Sequence, residues 1–254
     1  MRRVLLEVCV ATLEDALAAE AGGADRLEVN SALELGGLTP SPGSFQLIRD
    51  ACPLSLTVML RPRPGGFDYT PAEYRTLIRE AEWFLENGAD AVAFGLLKAN
   101  GAVDGRRCLE LVELAGPGKA VFHRAFDLVP NPLRALEELL DLGFARVMTS
   151  GQQPTVPGGI PLIRPLIDFA AGRIDVLPAG GITVANVAEV VEQTGCREVH
   201  ASLRNDRIDA SAKHRPHIRF GSASGDGEHR YRATDVSLVR AMRDLLDALL
   251  ASPG

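Results

Sequence analysis

Short apolar runs alternate with amphipathic segments along the whole chain. The runs at 4–10, 25–30, 54–61, 89–96, 119–126, 145–150, 174–178 and 197–203 have strand length and aliphatic composition, and they predict eight β-strands. Between them lie segments with helix start and stop signals. Thr70, Pro71 and Glu73 supply an N-cap, a first-turn proline and a capping-box carboxylate for a helix that stops at Gly88. Asn131 and Pro132 open another that stops at Gly143. Residues 235–251 place Val236, Val239, Met242, Leu245, Leu246 and Leu249 on one helical face. Strict alternation of strand and helix predicts a parallel sheet with helical crossovers.

Four helix-to-strand joints share one pattern: a helix-stopping glycine, two linker residues, a polar residue, then an aliphatic one. They are Gly23-Ala24-Asp25-Arg26-Leu27, Gly88-Ala89-Asp90-Ala91-Val92, Gly143-Phe144-Ala145-Arg146-Val147 and Gly195-Cys196-Arg197-Glu198-Val199, an imperfect match in which the third position relaxes from Asp to Ala or Arg and Ala91 takes the polar place. The glycines are 65, 55 and 52 residues apart, and each joint feeds an even-numbered strand. A (βα)₂ unit used four times predicts a TIM-type (β/α)₈ barrel, one domain over residues 1–254. No GxGxxG follows the first strand, which argues against a doubly wound sheet. Residues 204–233 lack apolar periodicity and are predicted to be a long irregular loop inserted between strand eight and the last helix.

Composition narrows the function. The 254 residues include 46% hydrophobic and 24% charged, with a net charge of −6, which disfavours nucleic acid as a partner. Only Lys98, Lys119 and Lys213 are lysines, so Schiff-base chemistry has few candidates. Aromatics make up 5%, too few for base- or sugar-stacking platforms. No apolar run reaches the roughly 18 residues of a membrane span, and Glu7 interrupts the N-terminal run before it could serve as a signal peptide. Cys9, Cys52, Cys108 and Cys196 lie far apart with no CxxC, as expected for reduced thiols in a cytoplasmic protein.

In such a barrel the chemistry sits at the C-terminal strand ends and the loops that follow. Alternation puts Glu7 with Cys9, Glu28 with Asn30, and His200 with Ser202 on shared faces. Glu7, Glu28, His123 and Asp127 are the acid–base candidates. Arg61 and Arg63, flanking Pro62, have the planar fork that grips a carboxylate or phosphate. Ser150, Gly151, Gly180, Gly181 and Ser202 could complete an anion site on the late loops, with Thr183 capping the next helix. Cys9, His123 and His200 are the candidate metal ligands, while His214, His217 and His229 in the insertion read as solvated. The alternative for the whole set is a satisfied ionic network inside the barrel with no catalytic role.

The segments Glu7-Val8-Cys9-Val10, GGADRLE at 22–28, GGLTPSPG at 36–43, RPR at 61–63, FHRAFD at 122–127, TSGQ at 149–152, AGGI at 179–182 and EVHAS at 198–202 resemble the CutC family, named as copper homeostasis proteins. The resemblance runs to about residue 204, and FHRAFD and GGLTPS are its most specific motifs. It implies a (β/α)₈ barrel, a cytoplasmic homo-oligomer, and a role in copper binding with Cu(I) as the bound ion. The sequence departs from the family at three places. Asn30 stands where the second strand typically ends Glu-Leu-Cys, Ser211-Ala212-Lys213 replaces a Ser-x-Met, and the loop 63–69 is reordered. Two functional expectations follow beside the non-catalytic scaffold: a copper-binding protein with Cys9 as leading ligand, or a barrel enzyme acting on a small phosphate- or carboxylate-bearing metabolite.

Overall fold

The computed structural model describes residues 3–215, 217, 218, 220 and 228–251. Eight parallel strands follow the predicted runs: β1 (Leu5–Val10), β2 (Arg26–Val29), β3 (Ser55–Met59), β4 (Ala91–Phe94), β5 (Ala120–Phe122), β6 (Arg146–Thr149), β7 (Asp175–Pro178) and β8 (Glu198–Ala201). They pair in the order β7-β6-β5-β4-β3-β2-β1-β8, and a parallel bridge between Ala179 and His200 brings β7 against β8 to close the ring. Seven helices cross over between them: α1 (Leu13–Gly22), α2 (Pro42–Ala51), α3 (Pro71–Glu86), α4 (Gly105–Ala115), α5 (Pro132–Leu142), α6 (Val156–Ala170) and α7 (Val187–Thr194). An eighth, α8 (Val236–Ala251), follows the insertion. Among the described residues no helix is long and apolar enough to cross a membrane.

The predicted signals act as read. Thr70 accepts from the Glu73 amide while Glu73 accepts from the Thr70 amide, and Asn131 accepts from the Arg134 amide. Gly23, Gly88, Gly143 and Gly195 all have φ between 70° and 95°, the left-handed turn that ends a helix and is open to glycine. The aspartate in two of these joints has a specific task. Asp25 accepts from the Leu6 amide and Asp90 from the Leu56 amide, each at 2.8 Å, so each joint fastens the start of the preceding strand.

Three local expectations change. The run 119–126 stops being a strand at Phe122, because the His123 ring accepts from the Ala125 amide and starts a 3₁₀ turn over Arg124–Leu128. Thr183 does not cap α7; its amide donates to Asn186 Oδ1, and the helix starts after Asn186. The insertion is not irregular throughout. Its ends form an antiparallel pair, β9 (Arg204–Ile208) and β10 (Arg230–Thr234), with Asp206 opposite Arg232. The Thr234 amide donates to Asp15 Oδ1 at 2.7 Å and ties the pair to α1. Backbone pairing, not an apolar face, holds this hairpin, so hydrophobic periodicity carried no sign of it. Residues 216, 219 and 221–227 of the insertion lie outside the described residues.

Two apolar regions result. The larger lies between the outer face of the sheet and the helices, with Leu6, Val8, Leu27, Phe45, Phe84, Phe122 and Met242 among its buried members. The smaller fills the barrel on one side: Ala91, Ala93, Val121, Met148, Leu177 and Ala179, from β4 to the end of β7. The opposite side, lined by β1, β2 and β8, is charged. Helix α6 approaches closely at its N-terminus, where a β-carbon on Gly159 would stand 1.8 Å from the Ser150 carbonyl oxygen and one on Gly151 2.3 Å from the Gly159 oxygen. Both neighbours are backbone and cannot rotate away. Gly159→Ala is therefore expected to cost about 1–3 kcal/mol or more in denaturant unfolding; a cost below about 0.5 kcal/mol would mean that α6 can shift freely.

Candidate functional site

Register builds the charged side of the barrel. On the β1–β2 ladder Glu7 is level with Arg26 and Cys9 with Glu28; on β1–β8 Glu7 is level with His200. Period-two alternation turns all five side chains inward, and four of them are polar groups that are costly to bury unless paired.

Pairing is specific. Glu7 forms an ion pair with Arg26 through one carboxylate oxygen. Its other oxygen is 2.8 Å from His200 Nδ1. Arg26 also reaches Glu198 at 2.5 Å. On the far side of the imidazole, His200 Nε2 stands 3.8 Å from Glu28 Oε2, which accepts from Asn30 Nδ2 at 2.9 Å. Oxygen or nitrogen atoms of Glu7, Glu28 and His200 all lie within 4.8 Å of one another. Glu28 Oε1 and Asn30 Oδ1 are buried without a hydrogen-bond partner among the described residues.

The three titratable groups take different roles. Burial opposes ionisation of Glu7, but the Arg26 charge and the His200 hydrogen bond prevail and hold its carboxyl well below the usual range. Burial also opposes charging His200; the Glu28 carboxylate, then Cys9 and Glu7, override it and raise the imidazole well above its ordinary value. Glu28 is raised, chiefly by burial, with Glu7 adding repulsion. Of the two carboxyls Glu7 ionises the more readily and Glu28 the less, and His200 holds its proton more tightly than a free imidazole.

Above this cluster opens a cavity of about 700 Å³ at the C-terminal strand ends. Cys9, Glu28, Asn30 and His200 line its floor, and Gly180, Gly181 and Ser202 its wall. Three arginines, Arg124, Arg204 and Arg232, also face it.

The other sequence-predicted residues lie elsewhere or are occupied. Arg61 donates to the carbonyls of Leu35, Gly37 and Gly65 at 3.0–3.1 Å, stitching the β2 and β3 loops together. Arg63 pairs with Glu73 at 2.5 Å and donates to the Gly66 and Asp68 carbonyls. Neither guanidinium presents its fork to the cavity. Asp127 accepts from the Thr149 hydroxyl at 2.6 Å and from the Ser150 and Gln152 amides, and it pairs with Arg124. It anchors the loop after β6. The Ser150 hydroxyl is enclosed by Asp127, Arg124 and the Gln153 carbonyl, and Gly151 lies against Gly159. His123 is buried on the β5 side against Phe67, with ring centroids 4.8 Å apart. Burial and the Arg61 charge push its imidazole down to about 3, so it is neutral and stands outside the Glu7–Glu28–His200 cluster.

Residues that the motif reading passed over complete the site. Arg26 shares the inward phase of Glu28 and Asn30, so alternation alone could have placed it. Arg204 and Arg232 reach the cavity because the hairpin carries them there, and that pairing is non-local.

A family model described as the CutC family matches residues 4–205. A CutC family protein of Treponema denticola is 45% identical over 88% of this chain and 91% of its own length. A human protein named copper homeostasis protein cutC homolog is 39% identical over 97% of this chain and 90% of its own. Among solved structures, a CutC protein of Streptococcus agalactiae superposes with a TM-score of 0.73 at 29% identity, covering 78% of this chain and 97% of that one. Phosphoribosylanthranilate isomerase of Thermotoga maritima, at 14% identity and a TM-score of 0.56, shares the barrel fold alone, with 96% of this chain and 99% of that one covered. The chain belongs to the CutC family.

Proposed function

We propose that this protein serves copper homeostasis by binding one copper ion at the floor of the cavity, through His200 Nε2, Glu28 and the Cys9 thiol. The observation that supports it most is the orientation of His200. A ligating imidazole usually gives its other ring N–H to a carboxylate that fixes its tautomer and raises its basicity. Glu7 does this from Nδ1 at 2.8 Å, which leaves Nε2 directed at Glu28. Nitrogen and oxygen donors hold a metal at about 2.0–2.2 Å, and a single ion can span the 3.8 Å between His200 Nε2 and Glu28. The unpartnered Glu28 Oε1 is a further donor atom.

The donor set suits copper. Divalent copper stands at the top of the affinity order for a nitrogen–oxygen site, and a thiol favours the cuprous ion. Asn30 removes the second thiol of the family pattern, so this site is of mixed N, O and S character. The proton on His200 competes with the metal, so binding releases it and strengthens as pH rises. Four free, buried cysteines agree with a reducing, cytoplasmic setting.

The test is titration of Cu(I) under reducing conditions, and separately of Cu(II), into wild type, Cys9→Ser and His200→Gln. One ion per chain is expected, with binding lost in His200→Gln and Cu(I) binding weakened in Cys9→Ser. Absence of stoichiometric binding in folded wild type overturns the reading. A second reading, an acid–base enzyme on a small metabolite, is favoured by the 700 Å³ of space above Glu28, which exceeds the needs of an ion.

A further inference from the structure

We infer that the cavity holds a second site, for an oxyanion carried by a small molecule, formed by Arg124, Arg204 and Arg232 at the rim above the Glu28–His200 floor. The inference rests on the arginines and holds for either reading of the floor.

Charge distribution is the first support. The chain carries −6 overall, yet the cavity lining holds three arginines and His200 with one carboxyl group, Glu28, while the carboxylates paired with the arginines, Asp127, Glu34 and Asp206, stand outside the lining. A concave positive surface in a net-negative protein focuses attraction on an anion of matching size. The arginines come from three separate places: the turn after β5, strand β9 and strand β10. No local sequence run produces their convergence.

Their existing partners leave capacity toward the cavity. Arg124 uses Nε for Asp127 and Nη2 for Ser150, while Arg204 uses Nε for Ser202 and Nη1 for Glu34. Nη1 of Arg124 and Nη2 of Arg204 have no hydrogen bond among the described residues. Arg232 donates Nη2 to the Arg204 carbonyl, which couples the two hairpin strands at the rim. The outer carboxylates, Glu34 and Asp206, are more than half exposed, and such pairs hold their arginines only weakly.

Gly180 is shaped to this arrangement. At φ +114° it passes beneath Arg124, and a β-carbon there would stand 2.9 Å from Arg124 Nη1. The guanidinium therefore packs against the β7 loop where the loop borders the cavity. Phosphate groups in this fold bind at the loops after strands seven and eight. Here the chain follows β8 with the β9–β10 hairpin, so guanidinium forks take the place that helix amides can fill. Their planar donors suit phosphate and carboxylate alike.

The test is calorimetric titration of metal-free protein at constant ionic strength with inorganic phosphate and, in a separate arm, citrate. Saturable binding of one anion per chain is expected in at least one arm, and the stronger arm assigns the ligand class. Arg204→Gln and Arg232→Gln should each weaken it tenfold or more; Arg232 is about half exposed, so its replacement leaves the fold intact. Arg164→Gln, paired with Asp168 on α6 away from the cavity lining, should bind as wild type. Absence of saturable binding in both arms, or equal binding by wild type and both rim variants, overturns the inference and leaves the copper reading untouched.

Discussion

Arg26→Met is expected to destabilise the protein by about 3–5 kcal/mol, the usual cost of removing one partner from a buried ion pair. For a domain of this size that lowers the melting temperature on the order of 10 °C. Arg26 is the shared cation of two carboxylates, Glu7 and Glu198, and both it and Glu7 are almost wholly buried. Methionine matches its apolar stem but leaves the Glu7 charge without its strongest partner. Glu198 retains some contact with water and suffers less. The sign with pH is fixed by Glu7. Its folded value is depressed, so in wild type it contributes stability above its ordinary 4.5 that is lost as pH falls. The variant lacks that contribution, and its deficit should shrink below about pH 4.5. Urea unfolding of wild type, Arg26→Met and Arg26→Met with Glu7→Gln would check this, the double variant recovering part of the loss. A single-variant cost below about 1 kcal/mol would show that Arg146, which also acts on Glu7, can replace Arg26.

The barrel was legible because its signals are local. The glycine joints recur, and the aspartates in two of them grip the preceding strand, so the same few residues end a helix and start a strand. The floor of the site was legible for a related reason: β1, β2 and β8 are neighbours in a closed ring, and period-two alternation turns Glu7, Cys9, Glu28 and His200 inward together. The arginines were not legible. Pro62 made Arg61 and Arg63 look like a rigid anion clamp, but their acceptors are mostly backbone carbonyls, which every sequence has and no motif marks. Arg204 and Arg232 acquire their position only through a pairing that spans the insertion.

The difference between the two sets is one of what the residue type encodes. A carboxylate inside an aliphatic run must find a partner, so its presence predicts a site. An arginine can be satisfied by carbonyls, a surface acid or a ligand, and only the geometry says which. His123 and Asp127 belong to the second kind: the FHRAFD motif that contains them builds the β5 and β6 loops and, through Asp127 and Ser150, sets the direction of Arg124.

Glu28→Gln is expected to weaken copper binding by at least the 10–100-fold that loss of a supporting partner costs a metal site, while leaving the protein folded. Glutamine keeps the shape and can still accept from Asn30, but it removes both a ligand charge and the largest influence holding the proton on His200. In metal-free protein the His200 titration, followed by imidazole NMR, should therefore move down. Stability must follow. Glu28 and His200 both have folded values raised above their ordinary 4.5 and 6.5, so their contributions are present below those values and are lost as pH rises through the folded ones. Wild type should lose stability as pH rises through neutrality, by up to about 1.4 kcal/mol per pH unit for each proton taken up on folding. The variant should show a flatter profile and gain on wild type toward alkaline pH. An unchanged His200 titration would remove Glu28 as its electrostatic partner, and an unchanged copper affinity would remove Glu28 as a ligand. The two readouts are independent, so Glu28 can fail in one role and keep the other.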